Sequence, residues 1–327
     1  MLQILKSNKN IIIQCLYQYL IMLFCNWGEF NMAGPITHNI FFEQCLRENF
    51  GAQFLFYENC NVYAQGHDLL MYSQFWDFKK NQMLSLELSH IKFREFVYRY
   101  LNICIKNCSI YRDVQVKLFI YGYISHHILD SYFHPFIMRY CNEYLPHRGT
   151  YWLHGVLETT LDEMCIEKHK KMRPISYKIH NDFIFKKVKS TQFIKNIELA
   201  VQQTYHIKGV GKKFYKSFCS LRYFMYLYRY DPYKVKRTIG NLFDQYIVIG
   251  IRDYFLNNHS SQWNNLFESS EFKKIYKTAL HVTGKILFEI EKLVQDHQLT
   301  PELIEHIIPN RSAITGKDPR PHNLFCN

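Results

Sequence analysis

The run Gly122-Tyr-Ile-Ser-His126-His127-Ile-Leu-Asp130-Ser-Tyr-Phe-His134-Pro135 constrains the chain more than any other stretch. No Gly or Pro interrupts it between its two ends, and its apolar side chains are frequent enough for a buried helix. Positions four apart on a helix stand above one another, roughly 6 Å apart along the axis. His126, Asp130 and His134 therefore share one stripe. Imidazole nitrogen and carboxylate oxygen are ligands that zinc accepts at roughly 2 Å. A buried stripe of such groups needs either a cation or a dense set of hydrogen bonds. On this helix alone both readings stay open, and the first makes the stripe a metal site.

A chain of 327 residues supplies one large domain or two small ones. Hydrophobic content of 48% and charged content of 21% are ordinary for a globular protein and exclude a disordered or collagen-like chain. The 10 cysteines include no CxxC pair, which excludes zinc-finger and thioredoxin readings and fits reduced thiols in a cytosol. Cys104 and Cys108 read as buried thiols.

Residues 1–31 read as a leader or a mis-called start. Lys6 and Lys9 before the apolar run Ile11 to Cys25 resemble a short secretory signal, but no small-x-small cleavage site follows. The run is too short for a membrane span. Trp27-Gly28-Glu29 must be encoded TGG-GGN-GAR, a purine-rich stretch just upstream of the codon for Met32. Such a stretch is what a bacterial ribosome-binding site looks like in translation. Met32 is therefore the expected start and the cytoplasm the expected location, with secretion as the alternative if residues 1–26 are cleaved.

From Met32 onward, residue types that bind metals recur in order. Thr37 is the expected N-cap of a helix carrying His38 in its first turn. Gly66-His67-Asp68 places a carboxylate beside a glycine turn. His67 itself reads as a solvated loop residue, with contact to substrate as the alternative. A helix is expected over 86–96, containing His90. The central helix spans Leu118 to His134. Beyond the break at Pro146, His154, Glu158 and Asp162 again lie four apart on one helical face. His127, about 100° around the central helix from His126, reads as a packing or hydrogen-bonding residue. His147 and His169 read as surface residues, and Lys208-Gly209-Val210-Gly211-Lys212 as a turn without the spacing of a phosphate loop.

Thr37-His38, Gly66-His67-Asp68, Ser89-His90, the Gly122-x3-His126-x3-Asp130-x3-His134-Pro135 run and His154-x3-Glu158 together resemble the bacterial zinc-dependent phospholipase C family. The resemblance covers roughly residues 32–165. It implies an all-α fold, a multi-helix bundle with a cluster of two to three zinc ions at helix ends. Carried over by motif, one ion takes Asp68, His90, His126 and Asp130. A second takes His134, His154 and Glu158. A third takes His38 and a share of Asp130. His134 follows Asp130 more closely than the corresponding histidine does in secreted members. Those members also ligate the third ion through a mature N-terminal Trp, which Trp27 supplies here only if the chain is cleaved after Asn26.

Zinc brings the pKa of bound water from near 16 to about 7, and paired ions clamp a phosphoryl group. Asp130, central and with two oxygens, is the expected bridging carboxylate. Asp68 is a ligand and the candidate proton acceptor for the attacking water. Asp162 is expected to hydrogen-bond a ligating histidine. The expected function is zinc-dependent hydrolysis of a phosphodiester such as a phospholipid. A single-strand nuclease or nucleotidase, and a non-catalytic helical protein with structural zinc, are the alternatives.

Residues 32–172 read as the metal-site region and 173–327 as additional C-terminal helices packed on it. Residues 167–237 carry 18 Lys and Arg against 4 Asp and Glu. This basic, aromatic stretch suits an anionic membrane surface or, less so, a nucleic-acid backbone. The plainer reading is a solvated helix face whose aromatics point inward. Further helices are expected over 241–254 and 269–293, with a short helix and a loose polar tail over 301–327.

Overall fold

The computed structural model of the chain describes residues 34–51, 60–73, 78–144, 150–183, 185, 192–229 and 263–318. The fold is all-α, and the described residues include no strand. The expectations for residues 1–31, for His147 and for a helix over 241–254 fall outside the described residues.

Among the described residues the longest element is α5, Val114–Tyr144, with Pro135 inside it. Nearly every side chain from Leu118 to Ser131 is buried, so this helix is enclosed on all sides. A segment of 3-10 helix, Cys60–Tyr72, packs along it, together with α1 (Pro35–Phe50), α6 (Thr150–Cys165) and α10 (Ser270–Gln295). Around these lie α2 (Phe78–Ser89), α3 (Phe93–Lys106), the short α4 (Ser109–Arg112), α7 (Gln192–Tyr205), α8 (Val210–Arg229), the short α9 (Asn264–Glu268) and α11 (Pro301–Ile307). One hydrophobic cluster runs from Ile36 to Ile308, so segments on both sides of residue 172 share a core. Among the described residues no helix is long and apolar enough to cross a membrane.

Local chemistry explains the boundaries. Ser269 accepts a hydrogen bond from the Phe272 N–H and starts α10, and Thr300 does the same for Leu303 at α11, where Pro301 holds the first helical position. The helix expected over 86–96 is broken. The Ser89 hydroxyl donates to the Leu86 carbonyl, a local bond that competes with the helical ladder, and His90 to Lys92 form a turn between α2 and α3. Thr37 is not an N-cap. Helix α1 begins at Pro35 after Gly34, which has no side chain to offer, and its cap comes from elsewhere in the fold. The tail is not loose over residues 311–316, which pack back onto α5.

Within the basic stretch, α8 places aromatics inward and cations outward as far as Met225. Phe214, Phe218, Leu221 and Met225 of α8 are buried, whereas Lys212 and Arg222 are exposed. His169 is exposed, Cys104 is buried and Cys108 is exposed. The turn expected over Lys208 to Lys212 is confined to a bend at Gly209, at a φ of 81°, because Val210 to Lys212 already form the first turn of α8, and the Glu198 carboxylate accepts the N–H groups of Gly209 and Gly211.

Two glycines set how closely the 3-10 segment approaches α5. A Cβ on Gly122 would stand 2.3 Å from the Tyr63 carbonyl oxygen. Gly66 adopts a φ of 52°, and a Cβ there would meet the His126 ring at 2.7 Å. Gly122→Ala is therefore expected to destabilise the fold by about 1–3 kcal/mol, because rigid backbone faces the added methyl. Denaturant unfolding checks this, and an unchanged midpoint would mean that the two helices separate at little cost.

Candidate metal centre

Asp130 lies at the centre of the site and is only 2% exposed. Its Oδ1 is 3.2 Å from His38 Nε2 and 3.8 Å from His134 Nε2, and its Oδ2 is 3.1 Å from His126 Nε2. The helical stripe thus converges on one carboxylate from both sides, and α1 adds His38 from a third direction. The His38 and His126 rings stack at 3.8 Å. Asp68 Oδ2 is 3.5 Å from His126 Nε2, which links the 3-10 segment to the same cluster. On the far side, His134 Nε2 is 3.6 Å from Glu158 Oε1, which is 2.6 Å from His154 Nε2.

Three groups here can each hold a metal ion: His38 with His126 and Asp130, His67 with Asp68 and His126, and His134 with His154 and Glu158. The hydrogen bonds decide which ring nitrogens face inward. A carbonyl only accepts, so His126 Nδ1 must donate to Ala64 O at 3.0 Å, and His134 Nδ1 to Ala313 O at 2.7 Å. In both neutral rings Nε2 then carries the lone pair, as metal ligation requires. His126 Nε2, His134 Nε2, Asp130 Oδ2 and Glu158 Oε2 are buried without hydrogen-bond partners. Polar atoms are seldom buried that way, and one divalent cation in the His126–Asp130 group and one in the His134–Glu158 group would satisfy them.

His67 was not expected in this company. It is buried, not solvated, because the Gly66 kink turns it inward. The Ser85 hydroxyl donates to Asp68 Oδ1 at 3.2 Å, so His67 Nδ1, 3.1 Å from Ser85 Oγ and 3.0 Å from Asp68 Oδ1, carries the proton. Its Nε2 is left bare and unpartnered, as in His126 and His134.

His90 stands apart from the three groups. Its Nδ1 is 2.7 Å from Ser312 Oγ. That hydroxyl already accepts the N–H groups of Ile314 and Thr315, so it donates to His90. The lone pair on Nδ1 is thereby used and Nε2 bears the proton, which leaves the ring in the wrong tautomer for ligation. His127 packs as expected: its ring stacks on Phe93 at 3.4 Å, and Nε2 donates to the Arg311 carbonyl at 2.8 Å.

Asp162 touches no ligating histidine. Its carboxylate accepts the backbone N–H of Ile36 at 3.2 Å and both the N–H and hydroxyl of Thr37 at 2.7 Å. It therefore supplies the cap that Gly34 lacks and fixes the helix turn carrying His38. A Cβ on Gly34 would stand 2.3 Å from that carboxylate, so glycine admits it. Burial pushes Asp162 up to about 7, against the hydrogen bonds from Thr37 and Ile36.

The charges are strongly coupled. Burial opposes ionisation of Asp130, but His126, His134 and His38 outweigh it and hold its carboxyl well below the usual range. Asp68 is likewise held low, with His67 and His126 overcoming burial. In return, Asp130 and Asp68 overcome burial at His126 and raise it to about 10, and Asp130 with Glu158 raises His134 to about 9. Burial and the neighbouring His126 lower His38.

A cavity of about 20 Å³ adjoins the cluster, lined by His67, Asp68, Ser85, Asp130 and His134 together with Ile314. That is room for a single water-sized guest. No family model, no curated protein and no solved structure matches this chain.

With His126 raised to about 10 and His134 to about 9, both rings are protonated at neutral pH until an ion displaces the proton. Zinc titrated into weakly buffered metal-free protein at pH 7 should expel about two protons per chain, and affinity should rise with pH toward about 10. Zinc uptake without proton release would contradict this assignment.

Proposed function

We propose that this chain is a zinc-dependent phosphoester hydrolase similar to bacterial phospholipase C, acting on a phosphodiester. One observation carries the reading: Asp130 gathers His38, His126 and His134 within 3.8 Å, beside a cavity that Asp68 also lines. The ligand set supports catalysis over a structural role, because it is larger and richer in carboxylates than the single four-ligand set of a structural zinc site. Imidazole mixed with carboxylate suits zinc better than calcium or magnesium, which prefer all-oxygen shells.

His38, His126 and Asp130 would hold one ion, His134, His154 and Glu158 a second, and His67 with Asp68 would complete the ligands on the cavity side. Bound there, zinc supplies Lewis acidity toward a phosphoryl oxygen and acidifies a water at neutral pH. The protein's own contribution is orientation and proton handling. The carbonyls of Ala64 and Ala313 fix two imidazoles in the ligating tautomer. Asp68 lines the cavity and would accept the proton of the attacking water by virtue of its position, although His67 and His126 hold its carboxyl too low for a strong base. Ser85 donates to Asp68 Oδ1 and so leaves Oδ2 on the His126 side.

Product analysis with phosphatidylcholine, single-stranded DNA and a chromogenic phosphodiester tests the reading, with phospholipid or the simple diester expected to be cleaved. Asp68→Asn should lower kcat by about 10²–10⁴-fold. Absence of zinc-dependent turnover on all three substrates would overturn the proposal. The ligand assignment has its own check in metal analysis. His67→Ala should weaken zinc binding by about 10-fold or more, whereas His90→Ala should leave the zinc content unchanged. The reverse pattern would restore His90 to the first ion.

A further inference from the structure

Pro135 has no N–H, so it cannot bond the carbonyl four residues earlier in α5, which belongs to Ser131. That carbonyl is answered from the far end of the chain: Arg311 Nη2 donates to Ser131 O at 3.0 Å. The Arg311 guanidinium also lies over the Tyr132 ring, 4.2 Å from its centroid. Gly316, at a φ of 63°, fits against the same notch, where a Cβ would stand 2.4 Å from Pro135 Cγ and 2.5 Å from Ser131 O. The turn between these contacts is closed by Gly316 N–H to Ser312 O at 2.9 Å and Ser312 N–H to Lys317 O at 2.8 Å. Residues 311–316 are thus a compact strap seated where the proline opens the helix.

From that seat, three consecutive residues each hold one imidazole. The Arg311 carbonyl takes His127, the Ser312 hydroxyl takes His90, and the Ala313 carbonyl takes His134. Only His134 among them presents a bare Nε2 to Asp130 and Glu158. Ala313 and Ile314 also line the cavity beside the site.

We infer that residues 311–316 are a positioning strap for the second metal position: Arg311 and Gly316 anchor the segment on the Pro135 notch, so that the Ala313 carbonyl holds His134 in its ligating tautomer. This rests on the metal reading of the site. Among the proposed ligands the strap bonds His134, whereas His38, His126 and Asp68 take their hydrogen bonds or neighbours from other elements.

Arg311→Leu and Gly316→Val, made separately in the full chain, dislodge the strap without touching any ligand. Zinc affinity is then measured by competition with a chromogenic chelator, with His134→Ala as the reference for loss of that position. Each variant should weaken one ion by about 10–100-fold and leave the remaining zinc binding as in the wild type. Arg311→Lys, which keeps a cation but loses the planar fork, should recover part of the loss. Folded variants that bind every ion as the wild type does, or that weaken all ions equally, would overturn the strap while leaving the hydrolase reading intact. Wild-type protein that binds no zinc would overturn both. Independently of any variant, ¹⁵N NMR of the metal-free wild type, followed with rising pH until the His134 ring is neutral, should show the remaining proton on Nδ1. An Nε2-protonated ring would contradict the strap directly.

Discussion

The burial of the Asp130 carboxylate is the constraint on which the rest depends. Taking a charge of that size out of water costs several kcal/mol even after relaxation, so it must be surrounded by positive charge or neutralised by a proton. Its neighbours keep it ionised, and they are three imidazoles from two helices. Asp68 adds a second negative charge on the cavity side. Protons on His126 and His134 balance these charges in the metal-free protein, and divalent ions can take their place at the same atoms.

The scaffold is arranged around that requirement. Helix α5 brings His126, Asp130 and His134 in register, Gly122 and Gly66 let the 3-10 segment approach close enough for Ala64 to hold His126, and Asp162 fixes the turn that delivers His38. Gln65 joins the two other contributors, donating to the Pro35 carbonyl at 3.1 Å and to Asn39 Oδ1 at 2.9 Å. His126, His134 and Asp68 are each held by a bond to a different element. A change in the packing of any one of those elements is felt at a single ligand before it is felt across the cluster.

The stripe on α5 and the His154-to-Glu158 pair were legible because helical periodicity is local: a four-residue spacing forces a shared face whatever surrounds it. The all-α fold was legible for the same reason. What was not legible depends on contacts distant in sequence or on single backbone angles. His67 looked solvated because it follows a glycine, yet the Gly66 kink turns the ring inward, and only Ser85 in α2 reveals its tautomer. His90 looked like a ligand by order along the chain, but the Ser312 hydroxyl, 222 residues away, claims its lone pair. Asp162 lies on the expected helical face, yet it reaches the start of α1 and no histidine. The one available hint at the strap was Pro135, whose missing N–H guarantees an unanswered carbonyl without saying what answers it.

Anomalous diffraction at the zinc absorption edge, from crystals of the protein grown with zinc, tests the central claim most directly. The account predicts separate anomalous peaks, one among His38, His126 and Asp130 and one among His134, His154 and Glu158, with Asp130 between them. Crystals in which these side chains keep their direct contacts and show no peak would contradict it, and the buried carboxylate would then be balanced by protons alone.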